Sequence, residues 1–267
     1  MWPIKVPEHI KQFIDKRFTS EELGAKARAS YKTISNGVPE VSVVMPAFNE
    51  QDNIIPTLAS LTANKTKRVV EIIVVNNNST DHTEALVKST GVQCILESRQ
   101  GITFARNAGL AVARGKYILN ADADTIYPAD WIEQMTVPLE NPGIALTYGR
   151  FAFLPIAETG RATYFFYEHL AGLSRWMNKV FKEEAVNVYG FNSGFRREQG
   201  IAVDGFNHPP GTNEDGWLAL KLRNKGFGKL HLVTAISALT WTTDRRIQLD
   251  GGLIKGSLKR IKRVLGG

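Results

Sequence analysis

The chain has 267 residues, of which 43% are hydrophobic and 22% are charged, and its formal net charge is +7. This length suits one globular domain with extensions. Residues 1–40 contain 7 basic and 5 acidic groups, residues 41–244 contain 19 and 20, and residues 245–267 contain 7 and 1. Because the central part is electrically balanced, we expect no nucleic-acid partner.

Cysteine usage and hydropathy bear on the compartment. Cys94 is the single cysteine of the sequence, so no disulfide can form within one chain, as is usual in a reducing compartment. Residues 1–12 lack the apolar core of a signal peptide, and no apolar run reaches the ~18 residues of a membrane span. We therefore expect a cytoplasmic protein.

From Val41 the hydrophobic pattern alternates between strands and helices. Strands are predicted at 41–45, 69–75, 92–96, 116–119 and 144–148, and helices at 52–62, 80–89, 103–114 and 128–140. This alternation indicates βαβ units and an α/β fold with a mostly parallel, Rossmann-like sheet covered by helices on both faces. We predict a helical extension at 1–40, one domain at 41–244 and a basic tail at 245–267.

Beyond Arg150 the alternation weakens. The remaining predicted segments are an aromatic, helix-like stretch at 164–170, a glycine-rich segment at 190–211, a helix at 213–223 and a strand at 229–239. We interpret the aromatic stretch as core rather than as a platform for sugar stacking.

Polar clusters follow three of the predicted strands. They are Pro46–Glu50, Asn76–Ser79 and the Asp122-Ala123-Asp124 segment. Ligands of open α/β sheets bind beyond the carboxyl ends of the strands, so three clusters on one edge predict a binding site. Two carboxylates in an Asp-x-Asp suit Mg²⁺ or Mn²⁺, although such a pair is also typical of a turn before a helix.

Other nucleotide motifs are absent. No G-x-G-x-x-G follows the first strand, which argues against a dinucleotide site. The segment 109–116 resembles a P-loop but is one residue too long, and Tyr117 stands where Ser or Thr is needed.

Five motifs in order closely resemble those of family 2 glycosyltransferases, which have a GT-A fold. They are residues 41–50, 75–81 and 101–109, the pair Asp122/Asp124, and residues 211–215. The resemblance implies an enzyme that transfers a sugar, with inversion, from a nucleotide-diphosphate donor to a hydroxyl of a glycan or lipid-linked acceptor. It also implies a divalent cation, Mg²⁺ or Mn²⁺, as cofactor.

The resemblance assigns roles residue by residue. Asp215 matches the general base, and Asp124, together with Asp122, matches the metal ligands. The implied donor site consists of Pro46, Ala47, Phe48, Glu50, Asn76, Asn77, Arg106, Asp122 and Ala123. Candidates on the acceptor side are Asn192, Glu214 and His208. Asn76 and Asn77 match positions that read the nucleotide base, where family members often have Asp-Asp-Gly. Asn keeps the hydrogen-bonding ability but removes the charge, which weakens the expected contact with uracil, so a UDP-sugar is favoured over GDP- or dTDP-sugars without being required.

Several of these residues also have a purely structural interpretation. Glu214 and Asp215 are acidic residues at a helix start, where negative charge is stabilising. Arg106 could contact diphosphate or lie on a solvated helix face, and a loop histidine such as His208 is usually structural. Two other functions stay open: a nucleotidyltransferase that makes a sugar nucleotide, and a non-catalytic subunit that binds one.

The C-terminal segment has an amphipathic pattern. On a helix, Ile254, Leu258, Ile261 and Leu265 form one stripe among five basic residues. Such a helix suits peripheral contact of residues 251–267 with the inner face of a membrane, while its glycines fit a packed or solubilising end equally well.

Overall fold

A computed structural model describes residues 2–155, 160–245 and 248. Within these ranges the helices are α1 (Glu8–Ile14), α2 (Ser20–Ile34), α3 (Ile54–Thr62), α4 (Thr83–Ser89), α5 (Ile102–Val112), α6 (Trp131–Thr136), α7 (Arg161–Phe181), α8 (Arg197–Ala202) and α9 (Glu214–Asn224). The strands are β1 (Val41–Ala47), β2 (Val70–Asn76), β3 (Gln93–Leu96), β4 (Tyr117–Asn120), β5 (Thr125–Ile126), β6 (Ile144–Gly149), β7 (Phe151–Leu154), β8 (Ser193–Arg196), β9 (Lys229–Val233) and β10 (Thr240–Thr243). Short 3-10 helices cover Val137–Glu140, Glu184–Asn187 and Ile236–Ala238.

Seven strands form the central sheet in the order β3-β2-β1-β4-β8-β6-β9, and among these β8 alone runs antiparallel to its neighbours. Its central strands are buried because helices cover both faces. Val43 of β1 packs in a cluster with Leu58 of α3, whereas the next residue, Val44, packs with Ala105 of α5 on the other face. The predicted mostly parallel sheet is confirmed.

The strand register aligns the polar loops along one edge. Ala47 at the end of β1 lies opposite Asn76 at the end of β2, and Asn120 at the end of β4 pairs with Val44. The three segments that follow these strands therefore leave the sheet at neighbouring positions, as expected for parallel strands joined by helices.

The C-terminal half departs from the sequence-based prediction. The glycine-rich segment 190–211 contains β8 and α8, and β8 inserts between β4 and β6. At Gly194 a side chain would overlap Leu119 of the neighbouring strand, so this glycine permits the close approach of β8. The predicted strand at 229–239 ends at Val233, and β10 forms a second, three-stranded sheet in the order β5-β10-β7.

The first forty residues form α1 and α2. A capping box between Thr19 and Glu22 begins α2. Leu23 and Ala27 of α2 are buried in the same cluster as β1, so this segment packs directly on the sheet. The domain boundaries after residues 40 and 244 stay predictions, and the amphipathic segment 251–267 lies outside the described residues.

Among the described helices, none combines the length and the apolar character needed to span a bilayer.

Candidate functional site

A cavity of about 450 Å³ opens at the carboxyl edge of the central sheet. This volume lies in the range of small-molecule sites. Among the predicted site residues, those that line it are Pro46, Ala47, Phe48, Glu50, Asn77, Asp122, Ala123 and Asp124. The three polar clusters thus meet at one cavity, as the strand order predicted. Asn76, Arg106, Asn192, His208, Glu214 and Asp215 do not line the cavity.

Glu50 is fixed in the loop after β1. Its side chain accepts a hydrogen bond from Asn53, and its amide donates to Thr83 of α4. Arg245 donates to both carboxylate oxygens of Glu50. Phe48, the first residue after β1, is half exposed beside the cavity.

The two asparagines after β2 bind protein groups. The side-chain nitrogen of Asn77 donates to the backbone carbonyls of Glu97 (2.8 Å) and Arg99 (2.7 Å). Its side-chain oxygen accepts from the backbone amide of Gly101 (2.8 Å). Asn76 donates to Glu84 and accepts from the Ser79 amide. Their polar atoms therefore hold the loops around the cavity in place, and a role in binding the nucleotide base stays a prediction.

Asp122 and Asp124 follow β4, and both line the cavity. Asp122 Oδ1 accepts from Arg106 Nη2 at 2.9 Å. Asp124 Oδ2 accepts from the Thr243 hydroxyl at 2.8 Å and lies 3.4 Å from Arg245 Nη2. Burial, followed by the negative charge of Asp122, raises the pKa of Asp124 to about 6.

The aspartate pair offers two carboxylates to a divalent cation. Among the described residues, no group of three or more His, Cys, Asp or Glu side chains is placed to hold a metal ion. Mg²⁺ usually needs one or two carboxylates from the protein when substrate phosphates and water complete its shell. Burial is the main cause of the raised pKa of Asp124 and the negative charge of Asp122 is the second, and a bound cation would favour the charged carboxylate against both. The pair therefore fits a cation shared with a diphosphate.

Arg106 of α5 connects the aspartate pair with Asp215. Its side chain is only 1% exposed, so the interpretation as a solvated helix residue is wrong. Besides its bond to Asp122, its Nε lies 3.6 Å from Asp215 Oδ1. Arg106 does not reach the cavity, and its contact with a donor diphosphate stays a prediction.

Asp215 lies in the first turn of α9. Asn213 caps the start of this helix, because its side-chain oxygen accepts a hydrogen bond from the Gly216 amide at 2.7 Å. Burial raises the pKa of Asp215 well above its ordinary value, and the charge of Arg106 opposes this rise. Oδ1 of Asp215 is buried without a hydrogen-bond partner among the described residues. The helix start explains the position of the carboxylate but not its burial beside Arg106.

Gly190 separates Asp215 from the cavity. A side chain at Gly190 would overlap both Arg106 and Asp215, so only glycine fits here. Its neighbours Tyr189 and Phe191 line the cavity. Asp215 therefore lies against Gly190, between two residues of the cavity wall.

The three acceptor-side candidates lie apart from the cavity. Asn192 is 1% exposed and binds Trp131, the Arg150 carbonyl and Thr240. His208 lies within hydrogen-bond distance of Thr103 and Thr212 in the loop before α9, and Glu214 precedes Asp215 on α9.

Several residues of the cavity wall were not predicted from the sequence. They are Thr243 and Arg245 after β10, Arg175 and Tyr167 of α7, and the aromatic residues Phe151, Phe153, Tyr189 and Phe191. Arg245 was assigned to a basic tail, because no local pattern distinguishes it from the other cations there. Pairing of Thr242 with Thr125 of β5 brings this segment to the aspartate pair.

A central parallel sheet with a cavity and an aspartate pair at its carboxyl edge defines the GT-A class of glycosyltransferase folds. The mannosyltransferase PcManGT from Pyrobaculum calidifontis, solved in complex with GDP-Man and Mn²⁺, matches with a TM-score of 0.61 at 20% identity, over 95% of this chain and 75% of that chain. Residues 42–199 match the sequence model described as Glycosyl transferase family 2, and the chain belongs to this family.

Curated relatives agree with the family. The glycosyltransferase YibD of Escherichia coli K12 is 33% identical over 112 residues, which are 40% of this chain and 32% of that protein. WfaP of Escherichia coli, named as a UDP-Glc:alpha-D-GlcNAc-diphosphoundecaprenol beta-1,3-glucosyltransferase, is 29% identical over 115 residues, 42% of this chain and 45% of that protein. The matches thus span less than half the length of these two relatives.

Proposed function

We propose that the protein is an inverting glycosyltransferase that moves a sugar from a nucleotide-diphosphate donor, with a UDP-sugar favoured, to a hydroxyl acceptor. The observation that carries this proposal is the buried connection Asp122–Arg106–Asp215. It links a carboxylate of the cavity wall with a second carboxylate that lies against Gly190. An inverting transfer needs these two functions, one at the leaving diphosphate and one at the attacking hydroxyl.

On the donor side, Asp124 and Asp122 would hold Mg²⁺ or Mn²⁺ together with the diphosphate. A bound cation stabilises the negative charge that develops on the leaving group. The loops around this site supply the other proposed donor contacts, which are Pro46, Ala47, Phe48, Glu50, Asn76, Asn77 and Ala123. Mn²⁺ in the mannosyltransferase from Pyrobaculum calidifontis supports a divalent cation here.

On the acceptor side, Asp215 would act as general base. The acceptor oxygen attacks the anomeric carbon, its proton passes to the Asp215 carboxylate, and the bond to the nucleoside diphosphate breaks. The raised pKa of Asp215 makes it a stronger base near neutral pH than an ordinary aspartate. Asn192, Glu214 and His208 stay proposals for this side.

The two alternatives receive less support. A nucleotidyltransferase needs a glycine-rich, basic loop after the first strand, and residues 46–50 contain neither glycine nor a cation. In a non-catalytic subunit, the buried carboxylate of Asp215 would have no role, although its Oδ1 has no hydrogen-bond partner among the described residues.

We further propose a place in polysaccharide or glycolipid assembly at the cytoplasmic side, with residues 251–267 in peripheral contact with the membrane. The name of WfaP, which acts on a lipid-linked acceptor, supports such a context.

The donor can be identified by thermal unfolding. A ligand at a concentration of 100 times its Kd stabilises the folded state by about 2.7 kcal/mol, so the correct nucleotide sugar should raise Tm clearly. We expect a rise with a UDP-sugar and Mn²⁺ that EDTA removes. A panel of UDP-, GDP- and dTDP-sugars without any such rise would contradict the proposed function.

The affinity for Mn²⁺ in the presence of UDP should fall as the pH drops through about 6. The pKa of Asp124 lies near 6, so protons compete with the cation below this pH. Between pH 7 and pH 5 we expect the affinity to fall about ten-fold. Calorimetry measures it, with the binding of Mn²⁺ to free UDP as the reference. A pH dependence equal to this reference would remove Asp124 from the cation site.

Gly190→Ala should reduce turnover about 10²-fold, because the new methyl group would displace Asp215 and Arg106. Gly160→Ala is the matched control, because a side chain there meets no atom within 4 Å. Full activity of Gly190→Ala would show that the wall beside Asp215 is not used.

A further inference from the structure

Arg175 of α7 is a cation of the cavity wall for which the described residues supply no counter-ion. Its Nη2 is buried without a hydrogen-bond partner, and it forms no ion pair with the described residues. The acidic residues around it have other partners: Glu168 pairs with Arg161, and Glu184 pairs with Lys179. An unsatisfied buried guanidinium nitrogen costs free energy, which a bound anion would recover.

A second cation lies close by. The guanidinium carbon of Arg150 is 5.2 Å from the centre of the Trp2 ring, and that of Arg175 is 5.3 Å from the same ring. Burial, followed by the charge of Arg175, lowers the pKa of Arg150. Two neighbouring cations that repel each other create a positive potential that attracts an anion.

Contacts place Arg175 on the acceptor side. Its guanidinium lies 5.6 Å from the Phe151 ring, which packs edge-on against Tyr189 (5.2 Å) and Phe191 (5.0 Å). These two residues flank Gly190, which touches Asp215. The donor end of the cavity has its own cation, Arg245, beside Glu50 and Asp124. An anion at Arg175 would therefore belong to the acceptor.

The opposite face of α7 is apolar and exposed. Phe166, Leu170, Leu173, Met177 and Val180 follow one another at spacings of four and three residues, and each is between 45% and 69% exposed. This spacing forms one stripe along the helix. Contiguous apolar surface of this kind marks a site of interaction with a protein or a membrane.

We propose that the acceptor is a phosphate-bearing lipid: Arg175 binds its phosphate while the apolar stripe of α7 lies in the surface of the bilayer. This rests on the proposed function and names its acceptor class. One amphiphilic ligand explains both faces of the same helix, whereas a second copy of the chain would explain the stripe alone. The attacked hydroxyl is on the head group that this phosphate links to the lipid.

Co-sedimentation of the full chain with vesicles tests the proposal. Phosphatidylcholine vesicles containing phosphatidylglycerol, whose phosphate links a hydroxyl-bearing head group to the lipid, are compared with vesicles of equal negative charge containing cholesteryl hemisuccinate, which has a carboxylate and no phosphate, so that general attraction by basic residues is the same. We expect preference for the phosphatidylglycerol. Arg175→Gln should weaken this binding about ten-fold and Arg175→Lys should retain most of it, because a single charged contact is removed or kept. Arg17→Gln is the control, because Arg17 is exposed and far from Arg175 in the sequence.

The stripe is tested by the double variant Leu173→Glu, Met177→Glu, which should lose binding to both kinds of vesicle. Equal binding of Arg175→Gln and wild type to the phosphatidylglycerol vesicles would overturn the phosphate site. Binding of inorganic phosphate at Arg175 with unchanged vesicle binding by the stripe variant would overturn the lipid as its source. The lipid would also be overturned if the protein forms a dimer in solution and the stripe variant is monomeric but still binds vesicles.

Nucleotide-sugar binding, measured by the shift in Tm, distinguishes this proposal from the function on which it rests. It should be equal in wild type, Arg175→Gln and the stripe variant. Loss of lipid selectivity with intact donor binding would refute the acceptor class alone, whereas absence of donor binding in wild type would refute the proposed function.

Discussion

Asp215→Asn should lower kcat by about 10²–10⁴-fold, the usual contribution of a general base. The amide has nearly the same shape as the carboxylate but cannot take the proton of the acceptor hydroxyl. Donor and Mn²⁺ binding should persist, because Asp215 lies behind the wall at Gly190 and not among the residues that line the cavity. Steady-state kinetics with the donor identified by thermal unfolding measures the effect.

Two controls make this result specific. Asp130→Asn is the same substitution at a residue before α6 whose side chain forms no cap hydrogen bond and lies outside the cavity. The Tm of the Asp215→Asn variant should also be recorded. The substitution removes a charged partner of buried Arg106, and an unpaired buried charge destabilises a fold. A folded Asp215→Asn variant with near-normal kcat would remove Asp215 as the base.

Asp124→Asn should abolish the Mn²⁺-dependent part of donor binding. The substitution keeps a side chain that can accept from the Thr243 hydroxyl but removes the charge that faces the cation. The loss of one of two charged metal ligands should reduce donor affinity in Mn²⁺ by about 10²-fold, a free-energy change of about 2.7 kcal/mol. Calorimetric titration with the nucleotide sugar, with Mn²⁺ and with EDTA, measures this difference.

In EDTA the Asp124→Asn variant should bind the donor about as well as wild type, because the loops that contact the nucleotide are unchanged. Asp130→Asn again serves as control and should retain the response to Mn²⁺. Donor affinity of Asp124→Asn that still rises with Mn²⁺ to the wild-type value would refute the assignment of Asp124 to the cation.

The parallel half of the fold could be predicted because its signals are local. β1 and β2 are apolar runs buried on both faces, and the helices between the strands show their own period and end signals. β8 could not be predicted, because its position between β4 and β6 depends on contacts over more than seventy residues, such as Gly194 against Leu119. Its segment reads as a glycine-rich loop when only neighbours along the chain are considered.

The candidate site divides in the same way. Asp122 and Asp124 and the loop at Pro46–Glu50 were predicted to share one edge, since strands that run parallel end on the same side. Arg106 gave no local signal of its role, because a helix pattern does not tell which buried partner an arginine will meet. Arg175 and Arg245 belong to a long helix and a basic segment whose packing brings them to the cavity.

The amino-acid sequence alone therefore determined the βαβ order, the edge on which polar loops converge, and the residue types able to bind a diphosphate and a cation. These follow from hydrophobic periodicity and from the direction of consecutive strands, which act over short distances along the chain. The tertiary structure alone decided that Arg106 joins Asp122 to Asp215, that Gly190 stands between Asp215 and the cavity, and that Arg175 lacks a counter-ion among the described residues. Burial and charge pairing between distant segments depend on packing, and packing has no signature in any one stretch of sequence.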